Sequence, residues 1–222
     1  MKRYISTTMK AGLKGLYVIT DKKLIPGDRF AEKVEQAIKG GASIVQLREK
    51  DTSLEQIISR GKELMKLTRK YGVPLIINDL PELAAEIGAD GVHLGENDLS
   101  VSHARTILGE ESIIGVSCYG NLERGLRAER EGANYAAFGT PFFTPTKPER
   151  APTSFDILKE AVNRIRLPIF AIGGITADNA ESVLDTGVEG IAVITSVFGS
   201  SDPEKASHEL TSIIETHSHK RR

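Results

Sequence analysis

Short apolar runs alternate with longer segments of mixed polarity along most of this 222-residue chain. Several of the short runs, such as "GIAVIT", are apolar at consecutive positions rather than at every second one. Consecutive apolar positions are typical of parallel strands that are covered on both faces. We therefore predict eight strands, over residues 15–20, 43–49, 74–79, 91–95, 112–117, 135–139, 168–174 and 190–195.

The segments between these runs have helical spacing, and each follows a strand. The predicted helices span 28–39, 53–71, 80–87, 100–108, 121–131, 154–164, 176–185 and 203–215. Residues favoured at helix N-termini begin five of them: Asp28, Ser53, Ser100, Asn121 and Thr176. Several segments end at a glycine before the next strand, as in "KYGVP" and "EIGAD", where a left-handed residue is needed.

Eight strand-then-helix units without a long linker predict a (β/α)₈ TIM barrel. We expect a single domain over residues 1–222, with the barrel at about 15–215 and flexible tails at both ends, including the terminal "THSHKRR". The alternative is an open, doubly wound parallel sheet. No GxGxxG motif follows the first strand, and the strand count closes at eight, so the barrel is favoured.

The amino-acid composition argues against several kinds of partner and cross-link. The chain is 40% hydrophobic and 27% charged, with a net charge of −1, so it carries no charge surplus for binding nucleic acid. No run reaches the roughly 18 apolar residues of a membrane span, and we expect no membrane partner. Cys118 is the single cysteine, which excludes an intrachain disulfide. We expect a cytoplasmic location, and the sequence leaves open whether the chain forms a homo-oligomer.

In a TIM barrel, the residues that end strands and begin the following loops form the functional face. The stretch "QLREK" alternates, so Gln46, Arg48 and Lys50 share one face of a strand end. Long polar side chains on an inner face are costly to bury unless an anion occupies the mouth. A phosphate-rich ligand fits this pattern, and a surface charge cluster is the alternative.

Asp79 ends the third strand, and Asp98 follows the fourth. Adjacent strands lie about 5 Å apart, so the two carboxylates can share one hard cation such as Mg²⁺, completed by phosphate oxygens and water. The alternative is that each aspartate caps the helix that follows it. His93, within the fourth strand, is interpreted as a core or supporting histidine with satisfied hydrogen bonds.

Two further regions offer anion ligands. The loop "FGTPFFTPTKPE" at 138–149 presents Thr144, Thr146 and Lys147. Gly173 and Gly174 lie at the end of the seventh strand, where many barrels bind phosphate through backbone N–H groups. Ser117 and Cys118 end the fifth strand with no recognisable catalytic base nearby in the sequence, so we expect packing or hydrogen-bonding roles rather than covalent catalysis.

The motifs "YVITD", "VQLREK", "GADGVHLGEND", "IGVSCY", "FGTPFFTPTKP", "AIGGI" and "GIAVITSV" occur in the order found in the thiamine phosphate synthase family. The resemblance spans residues 15–198. It implies an enzyme that condenses 4-amino-2-methyl-5-hydroxymethylpyrimidine pyrophosphate with 4-methyl-5-hydroxyethylthiazole phosphate, through a dissociative, Mg²⁺-assisted substitution. The products would be thiamine monophosphate and pyrophosphate.

The resemblance also implies roles for individual residues. Asp79 and Asp98 would hold Mg²⁺. The pyrophosphate would be bound by Arg48, Lys50, Asn78 and Lys147. Gln46 would contact the pyrimidine, and Ser117 would lie close to the reacting groups. The thiazole phosphate would be bound by Thr144, Thr146 and the backbone of Gly174, Ile194 and Thr195. Of these residues, Arg48, Lys50, Ser117 and Lys147 would be catalytic.

Some positions depart from the family pattern: Leu80 stands where the family often has Arg, Glu96 where it has Gln, and Tyr119 where it has His. After the loop, "TSF" replaces the common "GLE". The alternative functions are those of a thiazole phosphate tautomerase and of a non-catalytic phosphate-ligand-binding homologue. Neither requires the aspartate pair together with the pyrophosphate-binding cations.

Overall fold

The computed structural model describes residues 12–50, 52–143 and 152–220. Eight parallel strands close into a barrel in sequence order, with the last strand paired to the first. The strands are β1 (Gly15–Ile19), β2 (Ala42–Leu47), β3 (Leu75–Asn78), β4 (Gly91–Leu94), β5 (Ile113–Tyr119), β6 (Tyr135–Gly139), β7 (Ile169–Ile172) and β8 (Gly190–Val193). This closed sheet confirms the predicted single-domain (β/α)₈ TIM barrel and excludes the open sheet.

Helices surround the barrel and occupy the predicted segments. They are α1 (Phe30–Lys39), α2 (Leu54–Tyr71), α3 (Pro81–Ile87), α4 (Val101–Leu108), α5 (Leu122–Arg130), α6 (Phe155–Arg164), α7 (Ala177–Leu184), α8 (Thr195–Phe198) and α9 (Pro203–Lys220). A 3₁₀ turn (Gly27–Arg29) precedes α1. Helix α8 was not predicted, because four residues are too few to show a helical period. None of the described helices is long and apolar enough to cross a membrane.

Most of the predicted helix ends are confirmed by local hydrogen bonds. The side chains of Ser53, Ser100 and Asn121 each accept a hydrogen bond from the backbone N–H three residues further on. Thr176 forms a reciprocal capping box with Asn179. These bonds satisfy N–H groups that have no acceptor within the helix, which is why the chain enters each helix at these residues.

Two predicted helix ends are corrected. Asp28 lies in the 3₁₀ turn, and the N-cap residue of α1 is Arg29, whose side chain makes no capping hydrogen bond. At the other end of the chain, α9 continues to Lys220 rather than stopping at 215. His217 is buried there, and its Nε2 lies 2.9 Å from Asp185 Oδ1, so a tertiary contact extends the helix. The remaining tail residues, 1–11 and 221–222, lie outside the described residues.

The core has two layers. A large cluster fills the space between the strands and the helices. A smaller cluster fills the inside of the barrel and contains three aromatic side chains, Tyr17, Tyr135 and Phe170, packed edge to face at centroid distances of 5.5 to 5.9 Å. The barrel is therefore closed by side chains from within, and ligands can reach only its ends.

Candidate active site

A cleft of about 190 Å³ opens at the carboxyl ends of β2 to β5. The residues that line it are Arg48, Lys50, Asn78, Asp79, His93, Gly95, Glu96, Asn97, Asp98, Ser117 and Tyr119. Six of these were predicted site residues: Arg48, Lys50, Asn78, Asp79, Asp98 and Ser117. The fold brings them together because the carboxyl ends of neighbouring parallel strands meet at one rim.

The carboxylates of Asp79 and Asp98 converge beside Gly95. At the position that a Cβ atom of residue 95 would occupy, Asp98 Oδ2 lies 2.8 Å away and Asp79 Oδ1 lies 3.8 Å away. The backbone N–H of Gly95 also donates to Asp98 Oδ2 at 2.5 Å, which holds that carboxylate in place. A side chain at position 95 would crowd this space, so the glycine keeps it open for a ligand.

Helix capping does not account for the two aspartates. The N-cap residue of α3 is Leu80, and that of α4 is Ser100, whose hydroxyl accepts from the backbone of His103. Asp79 adopts a left-handed conformation, with φ of 66°. Backbone strain of this kind is common where a side chain is aimed at a functional site.

The pair fits a metal that is shared with a substrate. In the ranges that the structure describes, no group of three or more His, Cys, Asp or Glu side chains forms a metal site. Mg²⁺ is commonly held by one or two protein carboxylates together with substrate phosphates and water. Asp79 and Asp98 supply two carboxylates of this kind, so they suit a substrate-bridged Mg²⁺ rather than an ion enclosed by protein.

Arg48 is held by residues from the end of β1. Its backbone N–H donates to Thr20 Oγ1 at 3.0 Å, and its guanidinium Nη1 lies 3.8 Å from Asp21 Oδ2. The Arg48 side chain is largely buried, whereas Lys50 is exposed. Arg48 is thus held by its neighbours, whereas the side chain of Lys50 is open to solvent.

The charges of the cleft do not by themselves favour a polyanion. Among the described residues that line it, Arg48 and Lys50 face three carboxylates, those of Asp79, Glu96 and Asp98. A pyrophosphate entering this cleft would meet net negative charge unless a cation accompanied it. The cleft therefore suits a complex of a polyanion with a metal cation better than a free polyanion.

Ser117 is held from two directions. Its Oγ lies 2.8 Å from His93 Nε2, and its backbone carbonyl accepts from Arg124 Nε at 2.5 Å. Arg124, on α5, also donates through Nη2 to the carbonyl of Gly95 at 2.6 Å, so it ties the ends of β4 and β5 together. His93 is 8% exposed and hydrogen-bonded through both ring nitrogens, which confirms its interpretation as a supporting histidine.

Gln46 lies below the cleft rather than in its lining. It is 1% exposed, and its Nε2 donates to the hydroxyl of Tyr17 at 2.5 Å. The predicted contact of Gln46 with a pyrimidine stays a prediction. The alternation along the strand correctly predicted that Arg48 and Glu49 lie on different faces. Arg48 lines the cleft, whereas the buried side chain of Glu49 pairs with Arg60.

The predicted phosphate site lies on the opposite side of the mouth, at the ends of β7 and β8. Gly173 and Gly174 have φ of 116° and 60°, and a Cβ on Gly174 would lie 2.3 Å from the carbonyl oxygen of Phe143. Ile194 and Thr195 begin the short helix α8 directly after β8. First-turn N–H groups of a helix have no intrahelical acceptor, so this rim offers backbone donors to an anion. Three further predicted residues, Thr144, Thr146 and Lys147, lie outside the described residues.

Tyr119, in the cleft lining, and Arg124, which ties β4 to β5, are among the residues to which the sequence assigned no role. Tyr119 lines the cleft with a left-handed φ of 56°, at an irregularity in the pairing of β5 with β6. Its alternation with Ser117 was the available signal, because residues two apart on a strand share a face. Arg124 had no such signal, since its partners Gly95 and Ser117 are brought to it only by the closed barrel.

Comparison with known proteins identifies the family. A sequence model described as thiamine monophosphate synthase matches residues 16–197. The thiamine-phosphate synthase of Methylococcus capsulatus is 50% identical over 201 residues, covering 90% of this chain and 89% of that protein. The thiamine-phosphate synthase of Clostridium novyi is 46% identical over 199 residues, covering 89% of this chain and 97% of that protein.

A solved structure, thiamine phosphate pyrophosphorylase from Pyrococcus furiosus, superposes with a TM-score of 0.84 at 40% identity. The match covers 91% of this chain and 96% of that one. Together with the order of motifs in the sequence, these matches show that the chain belongs to the thiamine monophosphate synthase family of enzymes.

Proposed function

We propose that this chain condenses 4-amino-2-methyl-5-hydroxymethylpyrimidine pyrophosphate with 4-methyl-5-hydroxyethylthiazole phosphate, releasing thiamine monophosphate and pyrophosphate. The family and the names of its relatives support the overall reaction. The mechanism proposed is dissociative. The C–O bond of the pyrimidine methylene breaks before the C–N bond to the thiazole forms.

One observation carries the proposal: two carboxylates, Asp79 and Asp98, approach the same point beside two cations, Arg48 and Lys50. A phosphate tautomerase or a simple phosphate binder has no need for paired carboxylates, which repel an anionic ligand. A pyrophosphate with Mg²⁺ uses both charge types. We propose that Asp79 and Asp98 bind Mg²⁺, which when bound neutralises charge on the departing pyrophosphate.

The bonding changes need no protein nucleophile. The electron pair of the breaking C–O bond leaves with pyrophosphate, and the methylene cation is stabilised by the electron-rich aminopyrimidine ring. The lone pair of the thiazole nitrogen then forms the C–N bond, and no proton is transferred. Cys118, next to the cleft, is buried and faces away from it, and burial raises the pKa of its thiol to about 12, so it stays protonated at neutral pH.

The protein would act by positioning and charge stabilisation. In the proposed complex, Arg48, Lys50 and Asn78 bind the pyrophosphate, and Ser117 donates a hydrogen bond to it. The thiazole phosphate binds across the mouth, at Gly174, Ile194 and Thr195. The proposal also assigns Lys147 to the pyrophosphate, and Thr144 and Thr146 to the thiazole phosphate, by family resemblance alone.

The test is an assay of the purified protein with both substrates, with Mg²⁺ and with EDTA in its place, following thiamine monophosphate and pyrophosphate. We expect both products in equal amounts, and only with Mg²⁺. Isomerisation of the thiazole phosphate without coupling would favour the tautomerase. Binding of the thiazole phosphate without any turnover would favour the non-catalytic binder, and either result would overturn the proposal.

A further inference from the structure

Five polar side chains form a continuous hydrogen-bonded chain through the inside of the barrel to the cleft. Gln46 Nε2 donates to the Tyr17 hydroxyl at 2.5 Å, and the hydroxyls of Tyr17 and Tyr135 lie 2.9 Å apart. The Tyr135 hydroxyl lies 2.9 Å from His93 Nδ1, and His93 Nε2 lies 2.8 Å from Ser117 Oγ. The first four residues are at most 8% exposed, and the chain reaches the cleft at His93 and Ser117, which both line it.

The surrounding packing holds this chain in place. The Tyr135 ring crosses Gly115 so closely that a Cβ on that glycine would lie 1.9 Å from a ring carbon. His93 stacks on Tyr135 with ring centroids 5.5 Å apart and planes inclined by 20°, and Tyr17 packs edge to face against Tyr135. Rings packed this closely have little room to turn, which keeps their polar atoms within hydrogen-bonding distance of one another.

The direction of donation along the hydrogen-bonded chain is set at its buried end, by the side-chain amide of Gln46. An amide nitrogen can only donate, so the Tyr17 oxygen accepts from Gln46 and has its own proton left to give. Among the described residues, Tyr135 is the one acceptor that the Tyr17 hydroxyl contacts. Burial raises the pKa of both tyrosine hydroxyls, so both keep their protons at neutral pH.

The donors and acceptors nearer the cleft follow in the same way. Tyr135 accepts from Tyr17 and donates to Nδ1 of His93. The imidazole proton must then be on Nε2, where it is donated to the Ser117 oxygen. Ser117 accepts this bond and keeps its own proton for a group in the cleft.

We propose that the chain from Gln46 through Tyr17 and Tyr135 holds His93 as the neutral Nε2–H tautomer, so that His93 positions the Ser117 hydroxyl as a hydrogen-bond donor to the substrate. A serine 2.8 Å from a histidine resembles a nucleophile with its base, and the opposite direction of the chain would create that arrangement. The chain therefore decides between two chemistries for one pair of residues. The role of Ser117 toward substrate rests on the proposed function, whereas the tautomer of His93 does not.

The first test examines the tautomer in the protein without substrate. In ¹⁵N-histidine-labelled protein, long-range ¹H–¹⁵N correlation spectra distinguish a protonated ring nitrogen from an unprotonated one. The signals of His93, one of five histidines, are identified by their loss in His93→Gln. We expect Nε2 protonated and Nδ1 unprotonated; the opposite pattern would overturn the proposal.

Two tyrosine variants show whether the chain is the cause. Tyr135→Phe removes the donor to Nδ1, and we expect the Nδ1 signal of His93 to shift. Tyr71→Phe is the matched control, because its hydroxyl donates to Glu35 far from the chain, and it should leave the His93 signals unchanged. A His93 spectrum identical in Tyr135→Phe and the wild type would show that the chain does not set the tautomer.

The second test is a double-mutant cycle on turnover, with Ser117→Ala, His93→Asn and the double variant. Loss of one hydrogen bond to a charged group lowers the rate roughly 10- to 100-fold, and we expect each single variant to fall in this range. If His93 acts through Ser117, the double variant is no slower than the slower single variant. If the two losses multiply, His93 supports only the fold and the positioning role is wrong.

His93→Gln separates positioning from packing, because its amide nitrogen can donate near the place of Nε2. We expect it to recover a large part of the rate that His93→Asn loses, at equal thermal stability of the two variants. Equal loss in both would count against the proposal. If the wild type forms no thiamine monophosphate while His93 still shows the Nε2–H signal, the proposed function fails and the hydrogen-bonded chain stands.

Discussion

The two sides of the barrel mouth offer different chemistry to an anion. Above β2 to β5, the rim presents charged side chains, and two non-glycine residues, Asp79 and Tyr119, accept left-handed backbone angles there. Above β7 and β8, the residues with positive φ are Gly173 and Gly174, and the rim is built from backbone groups and the start of a short helix.

The difference indicates what each side must do. Strained conformations such as those of Asp79 and Tyr119 are common at functional sites, which agrees with the role proposed for Asp79. A rim that uses glycine does so because another chain segment or ligand approaches the backbone closely. The first side should therefore be sensitive to loss of charge, and the second to gain of a side chain.

The largest expected effect is loss of charge at the aspartate pair. Asp79→Asn and Asp98→Asn should each lower kcat by at least about 100-fold and raise the Mg²⁺ concentration needed for half-maximal rate, because a ligand to the cation is lost. Steady-state assays across a Mg²⁺ titration measure both. Asp178→Asn, the same change on an exposed position of α7, is the control. Wild-type turnover of Asp79→Asn at limiting Mg²⁺ would contradict the metal site.

The converse change is a side chain added at Gly174. Gly174→Ala places a Cβ 2.3 Å from the Phe143 carbonyl at a φ of 60°, so the local backbone must move. We expect KM for the thiazole phosphate to rise more than about tenfold, with a smaller change in KM for the pyrimidine substrate. Gly72→Ala is the matched control: its φ is 67°, yet nothing lies within 4 Å of the added atom. It should cost only about 1 kcal/mol of stability, as expected for a left-handed conformation at a residue with a Cβ atom. Equal changes in KM for both substrates would contradict the proposal that they bind at different sides of the barrel mouth.

A smaller effect is expected for a single cation on the charged side. Arg48→Gln should raise KM for the pyrimidine pyrophosphate roughly tenfold, because one charge-assisted hydrogen bond is lost. The rise of this KM with added salt should also be weaker than in the wild type. Thr195→Ala, across the mouth, should change KM for the thiazole phosphate less than about twofold, since the proposed donors there are backbone groups. A larger effect at Thr195 would assign its hydroxyl to the site.

The smallest effect is expected at Cys118, which lies between two cleft residues but points into the outer core. Burial raises the pKa of its thiol to about 12 from an ordinary value near 9, so the folded protein should resist iodoacetamide at pH 8. Between pH 9 and about pH 12, the thiol ionises in the unfolded protein but not in the folded one, so Cys118 lowers the free energy of unfolding as pH rises. Mass spectrometry of the native and the urea-unfolded protein measures the labelling. Rapid labelling of the native state would place the thiol in the cleft.

Most of the fold is predictable because its signals are local. Apolar runs mark the strands, and Ser53, Ser100 and Asn121 begin helices through bonds to residues only three positions away. The errors have two separate physical causes. Helix α8 is too short to show a period, and α9 is lengthened by the contact of His217 with Asp185, which no local pattern reports.

Part of the candidate site is also predictable, because barrel topology turns a sequence position into a place. The strand pattern predicts that Arg48, Asp79, Asp98 and Ser117 lie at one end of the barrel, and the structure brings all four into one cleft. Whether they perform the predicted binding and catalytic roles stays a prediction. The sequence does not show how deep in the barrel a side chain lies. For that reason, it predicts Gln46 in the same site as Arg48 and Lys50, although Gln46 is buried beneath the cleft.

The sequence by itself determined the order of strands and helices, most of the helix N-caps and the barrel end at which most of the polar site residues lie, since each depends on a few neighbouring positions. The tertiary structure alone decided which distant groups meet. Tyr17 and Tyr135 are 118 residues apart, and their hydroxyls come within 2.9 Å only because the barrel closes around them. The direction of hydrogen bonding at Ser117 depends on that closure, because a donor chain exists only when every buried member has its partner in place.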